Sequence, residues 1–279
     1  MKARRSVGEL RAAFRQLHTS GCFILPNPWD VGSARLMQHL GFQAVASTSS
    51  GFAWSTGRPD YGVSRADVLQ HLGSLCNAVD LPVNADFESG FGEDPAGVAE
   101  SVTLAIDTGV AGLSIEDRDI DADEKLYDLN TALERLRAAR TAIGRSGQDV
   151  ILVARTEGLL IDPRAVTPAI DRLVAFAEAG ADCLYAPGVV NKEDITAMVR
   201  AVAPKPINVL MMRPGLMLSE LSDLGVRRIS VGGALARVAL GVLIAAAEKM
   251  KAGSFDGLGG AAKGDVLNSI FRDFEDVRR

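Results

Sequence analysis

One short phrase recurs four times in this chain: Leu40-Gly41-Phe42-Gln43-Ala44-Val45, Thr108-Gly109-Val110-Ala111-Gly112-Leu113, Ala179-Gly180-Ala181-Asp182-Cys183-Leu184 and Leu224-Gly225-Val226-Arg227-Arg228-Ile229. Each copy closes a stretch with helical periodicity and opens a short apolar run. A glycine at that point can take the left-handed conformation that ends a helix, and the apolar residue after it can pack back on that helix. Four copies of one helix-to-strand joint imply repeated βα units.

The remaining apolar runs extend this to eight strands, at 23–25, 44–47, 83–86, 113–116, 152–155, 184–186, 208–210 and 229–231. Between them the periodicity is helical. Val166, Ile170, Leu173, Val174 and Ala177 share one helix face, and Asp94-Pro95 and Asp162-Pro163 read as helix starts. Eight such units predict an α/β chain folded as a (β/α)₈ barrel, which commonly needs about 250 residues. The 279 residues suffice, and no Pro-, Gly- or Ser-rich linker divides them, so 1–279 is read as a single domain. A glycine-rich stretch begins a short C-terminal tail, about 253–279, that can leave the barrel. The chain is 47% hydrophobic but only 5% aromatic, so the core must be largely aliphatic.

Several partner classes are excluded. The net charge is −5, and the basic residues of the first fifteen alternate with Val7, Leu10 and Phe14, which reads as a surface helix. No nucleic-acid partner is therefore expected. No apolar run reaches the length of a membrane span, and no secretory leader is recognisable. Cys22, Cys76 and Cys183 are too sparse for a zinc pattern or a disulfide framework, so a cytoplasmic location is the default.

Three of the apolar runs end in charge: Asn84-Ala85-Asp86-Phe87-Glu88-Ser89, Ile115-Glu116-Asp117 and Ala154-Arg155-Thr156-Glu157. In a βα barrel the ends of the strands meet at one mouth. That gathers Asp86, Glu116 and Arg155 with Asn27, 47–51 and Asn208. Grouped carboxylates suit a hard cation such as Mg²⁺, and an arginine fork suits a substrate carboxylate or phosphate. Alternatively, Asp86 and Glu116 form a buried ion pair with Arg155, Ser47–Ser50 a helix cap and Asp60 a turn end; Glu157 reads as a partner of Arg155 or as a surface acid. Gly232-Gly233 admits either a phosphate cradle or tight packing. His18, His39 and His71 fall away from the mouth.

In order along the chain, Pro26-Asn27-Pro28-Trp29-Asp30, Thr48-Ser49-Ser50-Gly51, Gly57-Arg58-Pro59-Asp60, Ala85-Asp86 with Gly90-Phe91-Gly92, Ile115-Glu116-Asp117, Ala154-Arg155-Thr156-Glu157 and Glu178-Ala179-Gly180-Ala181-Asp182 resemble the isocitrate lyase and phosphoenolpyruvate mutase superfamily. The resemblance spans nearly the whole chain. It implies a barrel whose eighth helix is exchanged between subunits of a homodimer or homotetramer, and a cofactor Mg²⁺ or Mn²⁺ holding a 2-oxo acid. By position it assigns Asp86 and Glu116 to the metal, with Asp60 joining through water. Ser47, Thr48 and Ser49 would bind the substrate carboxylate, and Arg155 that carboxylate or the transferred group.

Two departures qualify it. The lyase branch carries a Lys-Arg-Cys-Gly-His loop after the Glu-Asp pair, where this chain has Arg118-Asp119-Ile120-Asp121-Ala122-Asp123-Glu124-Lys125. The usual Asp-Ala-Asp is Asn84-Ala85-Asp86, with Glu88 placed to supply the missing carboxylate. The expected function is therefore a Mg²⁺-dependent enzyme that makes or breaks a C–C or P–C bond next to a 2-oxo acid through an enolate, without isocitrate or methylisocitrate cleavage. A phosphonopyruvate-type mutase or hydrolase is one alternative, and a non-catalytic 2-oxo-acid-binding barrel another. Either water or Glu88 serves as general acid. Arg155, Asp60 and Glu88 are the catalytic candidates, and Asn208 joins the substrate-binding set.

Overall fold

The computed structural model describes residues 4–120, 122 and 125–274. Eight parallel strands follow one another around a sheet: β1 (Phe23–Leu25), β2 (Val45–Ala46), β3 (Val83–Asp86), β4 (Gly112–Glu116), β5 (Ile151–Arg155), β6 (Cys183–Tyr185), β7 (Ile207–Leu210) and β8 (Arg228–Ser230). β1 pairs with β8, so the sheet curls round on itself. Between β1 and β2 there is no ladder. The gap is crossed by the Ala46 N–H donating to Pro26 O at 3.0 Å and the Asn27 amide donating to Ser47 O at 2.8 Å. Asn27 Oδ1 also accepts from the N–H groups of Val231 and Gly232, both at 2.9 Å, so one side chain clasps the ends of β1, β2 and β8. All eight strands fall where the apolar runs put them, within a residue or two at the ends.

The repeated joints behave as their glycines require. Gly41, Gly109, Gly180 and Gly225 have φ of 85°, 96°, 106° and 89°. The N–H groups of Phe42, Ala181 and Val226 reach back to the carbonyls of Met37, Phe176 and Leu221, the six-to-one bond of a left-handed helix terminus. Val110, Ala181 and Val226 are buried against the helices they follow.

The helices are α1 (Val7–Leu17), α2 (Val31–His39), α3 (Ser49–Ser55), α4 (Arg65–Ala78), α5 (Pro95–Asp107), α6 (Leu129–Ser146), α7 (Gly158–Ile161), α8 (Val166–Glu178), α9 (Lys192–Val202), α10 (Leu218–Asp223), α11 (Ala234–Lys251) and α12 (Gly264–Arg272). Asp94 caps α5, accepting from Gly97 N–H at 2.8 Å, as the Asp-Pro signal predicts. The second such signal misplaces its helix. Asp162 accepts from Arg164 N–H at 3.0 Å and closes a turn, and α8 begins only at Val166. α1 is also more than a surface helix. Phe14 is fully buried beneath the barrel beside Gly112, and the buried Arg11 guanidinium donates to the carbonyls of Ile106 and Val110.

The C-terminal helices expose much apolar surface. On α11 only Ala236 and Ala246 are buried, while Val238, Val242, Leu243 and Ile244 are about 60% exposed or more. The chain then turns back, and Phe274 lies under the Arg35 guanidinium of α2, 5.2 Å from ring centre. Residues 275–279 of the tail lie outside the described residues. Among the described residues no helix is long and apolar enough to cross a membrane. Cys22 lies just before β1 rather than on it, Cys183 is on β6 and Cys76 on α4.

Candidate active site at the barrel mouth

The parallel register sets the site. Glu116 and Arg155 are direct partners on β4 and β5, and Asp86 ends β3 opposite Ser114. Side chains in register on adjacent strands share a face, so all three reach the same end of the barrel interior. Arg155 is the hub. Its Nη1 lies 3.4 Å from Asp86 Oδ1, and its Nε lies 3.3 Å from Glu116 Oε2 and donates to Glu157 Oε1. Its guanidinium rests 5.2 Å from the centre of the Tyr185 ring. Burial works against the Arg155 charge, but Glu157 and Glu116 outweigh it and hold the pKa well above the usual arginine value.

Asp86 is fixed from the β2 side. Ser49 donates to its Oδ2 from both N–H and hydroxyl, each at 3.0 Å, and its own N–H donates to Ser47 Oγ at 2.8 Å. Thr48 is the cap of α3 and accepts from Gly51 N–H at 3.3 Å. The three hydroxyl residues thus aim Asp86 and start α3. Glu116 is fully enclosed, with Tyr61 donating to its Oε1 at 2.7 Å. Burial pushes its carboxyl above the ordinary range, and Arg155 pulls the other way.

Glu88 follows Asp86 by two residues in a left-handed conformation, φ 46°, and is buried with Oε1 unpaired. Burial first, then Asp86 and Asp60, push its pKa up to about 8. Asp60, at the outer edge, is raised by partial burial and by Asp86. Asp117 faces the other way. It accepts from the Thr156 hydroxyl at 2.7 Å, Glu157 N–H at 2.9 Å and Arg172 at 3.1 Å, and so locks the end of β5.

Five carboxyl groups (Asp60, Asp86, Glu88, Glu116 and Glu157) therefore surround one arginine. Among the described residues no three His, Cys, Asp or Glu side chains close into a metal cage. Mg²⁺ does not need one, because it retains waters and takes only one or two carboxylates beside its substrate. An all-oxygen donor set, an excess of negative charge and the orphaned Glu88 oxygen fit a hard divalent cation.

Asn208 is fully buried in the barrel interior. Its amide donates to Ser230 Oγ at 2.9 Å and its carbonyl accepts from Arg228 at 2.9 Å. Arg228 also reaches Asn84 at 3.3 Å, so a buried polar layer underlies the mouth. Gly233 packs against Ser50 and the Trp54 ring, and a Cβ there would meet them at 2.7 and 3.0 Å, which is the packing reading of the glycine pair. His18 closes the base of the barrel beside Phe14 and Phe23, and His71 stacks on Phe52 at 3.9 Å. Tyr61, Tyr185 and Arg228 carry no motif. Tyr185 alone was findable, as a residue within the predicted strand 184–186.

After β4 the chain forms a small antiparallel hairpin, Arg118–Asp119 with Lys125–Leu126. The Arg118 guanidinium lies 5.3 Å from the Tyr61 ring centre, which brings this lid to the edge of the site. Asp121, Asp123 and Glu124 of the loop lie outside the described residues. Beyond β7 a cavity of about 390 Å³ opens between Leu160, Met211, Met212, Arg213 and Arg237.

The phosphoenolpyruvate phosphomutase family model matches residues 14–251. A structure of a lyase-or-mutase-type protein from Burkholderia cenocepacia J2315 is 45% identical, superimposes with a TM-score of 0.92 and covers 95% of this chain and 97% of its own. An uncharacterized protein of Mycobacterium tuberculosis is 32% identical over 222 residues, 79% of this chain and 81% of that protein. The structure of oxaloacetate acetylhydrolase with its product oxalate is 26% identical, with a TM-score of 0.86 and coverage of 99% and 98%. Other relatives bear the names 2-methylisocitrate lyase and 2,3-dimethylmalate lyase.

Proposed function

Because the chain belongs to the phosphoenolpyruvate phosphomutase family, we propose that it is a Mg²⁺- or Mn²⁺-dependent enzyme that cleaves or forms a C–C or P–C bond next to a 2-oxo acid. The observation that carries this reading is Arg155 in contact with three carboxylates, Asp86, Glu116 and Glu157, with Asp60 and Glu88 close to Asp86. A dianionic substrate cannot enter such a site unless further positive charge accompanies it. Asp86 and Glu116, with Glu88 beside them, would hold the cation. When bound, it supplies the positive charge that stabilises the oxygen of the oxo group as electrons move onto it.

The protein's own groups account for the remaining steps. Nη1 of Arg155 makes only a long approach to Asp86, so the outer edge of its fork is available for a substrate carboxylate or the transferred group. Glu116, Glu157 and the Tyr185 ring fix that fork in place. Ser47 and Ser49 hold Asp86 so that it does not reorganise as charge develops. Glu88, buried beside Asp86 with one oxygen unpaired, would complete the carboxylate set around the cation, and water would return the proton to the carbon freed by cleavage. The cavity with Arg213 and Arg237 suits a substituent with an apolar stem and an anionic end, which favours diacids.

Steady-state turnover of a panel of 2-oxo and 2-hydroxy diacids, oxaloacetate included, with and without Mg²⁺ tests this, with oxalate as inhibitor. Phosphonopyruvate in the same panel separates P–C from C–C chemistry. No turnover of any member, with oxalate binding retained, would leave a binding protein in place of an enzyme.

A further inference from the structure

The residues that form the mouth do not explain Arg135. It lies on the inner face of α6, is 2% exposed, and makes its hydrogen bonds to carbonyls. Nη2 donates to Ser89 O at 2.9 Å and Gly92 O at 2.7 Å, and Nη1 to Glu93 O at 3.2 Å. Burying a guanidinium costs several kcal/mol unless its donors are satisfied. Here Nε is without a partner among the described residues, and the three acceptors of the two Nη groups all belong to one turn.

That turn holds itself by one internal bond, Gly90 N–H to Phe87 O at 2.9 Å, against two strained residues. Glu88 and Phe91 have φ of 46° and 52°, a conformation that costs a non-glycine residue about 1 kcal/mol or more. Its inner side is tied to β4, where Glu116 N–H donates to Glu88 O at 2.9 Å. Its outer carbonyls point away from the mouth, and a buried carbonyl needs a partner. Arg135 supplies that partner three times over.

The other face of the guanidinium meets the lid. Tyr127 follows the returning strand of the hairpin, and its ring centre lies 4.5 Å from Arg135. Its N–H donates to Asp117 O at 2.9 Å and its carbonyl accepts from Arg172 at 2.9 Å. Arg135 therefore stands where the Glu88 turn and the foot of the lid come together.

We propose that Arg135 is a positioning residue for the acidic mouth: it fixes the left-handed turn that aims Glu88 at Asp86 and, through Tyr127, sets the base of the lid hairpin. The proposal rests on the reading that Glu88 belongs to the cation site. Lysine cannot reproduce the fork, since one ammonium cannot span three carbonyls and stack on a ring.

Two measurements on the full chain test it. The first is hydrogen exchange of the amides at 88–93. The second is Mn²⁺ affinity by calorimetry. Arg135→Lys is compared with the wild type, alone and combined with Glu88→Gln. Exchange at 88–93 should rise by about tenfold in Arg135→Lys with the barrel strands unchanged, and should stay at the wild-type rate in Glu88→Gln. Mn²⁺ affinity should fall roughly tenfold in Arg135→Lys, with no further fall when Glu88 is already Gln. Unchanged exchange in folded Arg135→Lys overturns the proposal. So do losses of Mn²⁺ affinity that simply multiply in the double variant, because Arg135 would then not act through Glu88. If Glu88→Gln alone leaves Mn²⁺ affinity intact, the cation reading at Glu88 fails, and exchange alone decides whether Arg135 holds the turn. If Arg135→Lys does not fold, Tyr127→Ala leaves the guanidinium in place, and its exchange at 88–93 must still exceed that of the wild type.

Discussion

Arg155 has one fork and three carboxylate neighbours, so every substitution around it is felt through charge. Arg155→Lys should lower kcat/KM by about 10²-fold or more, since an ammonium cannot hold Glu116 and Glu157 while presenting a second edge outward. Asp86→Asn should weaken Mg²⁺ binding and abolish activity. Normal turnover in that variant would remove Asp86 from the site. Away from the mouth, two histidines give the fold a pH dependence. Burial, the largest cause in each, lowers the pKa of His18 and His71 to about 4. Both stay neutral in the folded protein, while the unfolded chain takes up protons below about 6.5. Their contribution is therefore complete above that pH and is lost as pH falls toward 4, by up to about 3 kcal/mol each. Urea unfolding from pH 7 to 4 should show this slope, and His71→Phe should flatten it. A slope unchanged by that substitution would place the acid sensitivity elsewhere.

At the scale of elements, the strands were legible because each lies between a helix-closing glycine and a charged end. Asp86, Glu116 and Arg155 could be placed at one mouth for the same reason: strand order and register follow from repeated βα units. What the sequence concealed depends on contacts between distant segments. Tyr61 reaches Glu116 across fifty-five positions, and Arg135 grips a turn forty-six positions away, and neither leaves a local pattern. The helix-cap reading of Ser47–Ser50 holds at Thr48, which caps α3, while the role of Ser49 in positioning Asp86 had no signal in the sequence. The segment after β4 carries no cysteine, where the resemblance to the lyase branch implies one. Burial raises Cys22 and Cys183 to about 11 and Cys76 to about 12, so no thiolate forms near neutral pH. Cleavage of isocitrate and 2-methylisocitrate should therefore stay below roughly 1 s⁻¹. Activity on a 2-oxo acid should survive Cys→Ser at all three positions, and its loss in a folded triple variant would point to a thiol mechanism.

At the scale of the whole molecule, α11 leaves Val238, Val242, Leu243 and Ile244 exposed among the described residues, and the superfamily resemblance leads us to propose that this helix is exchanged with a second copy in a homodimer or homotetramer. Light scattering at micromolar concentration should report more than one chain per particle, and Val242→Glu with Leu243→Glu should release monomers. A wild-type monomer would count against it. The clasp at Asn27 carries a different consequence. β1 has a ladder only with β8, and only isolated bonds join it to β2. β1 therefore has no ladder partner until β8, the last strand of the barrel, has been made. Its pairing spans nearly the whole chain, the slowest kind of contact to close. Folding thus leaves β1 waiting, and the barrel closes at the seam beside its own first strand.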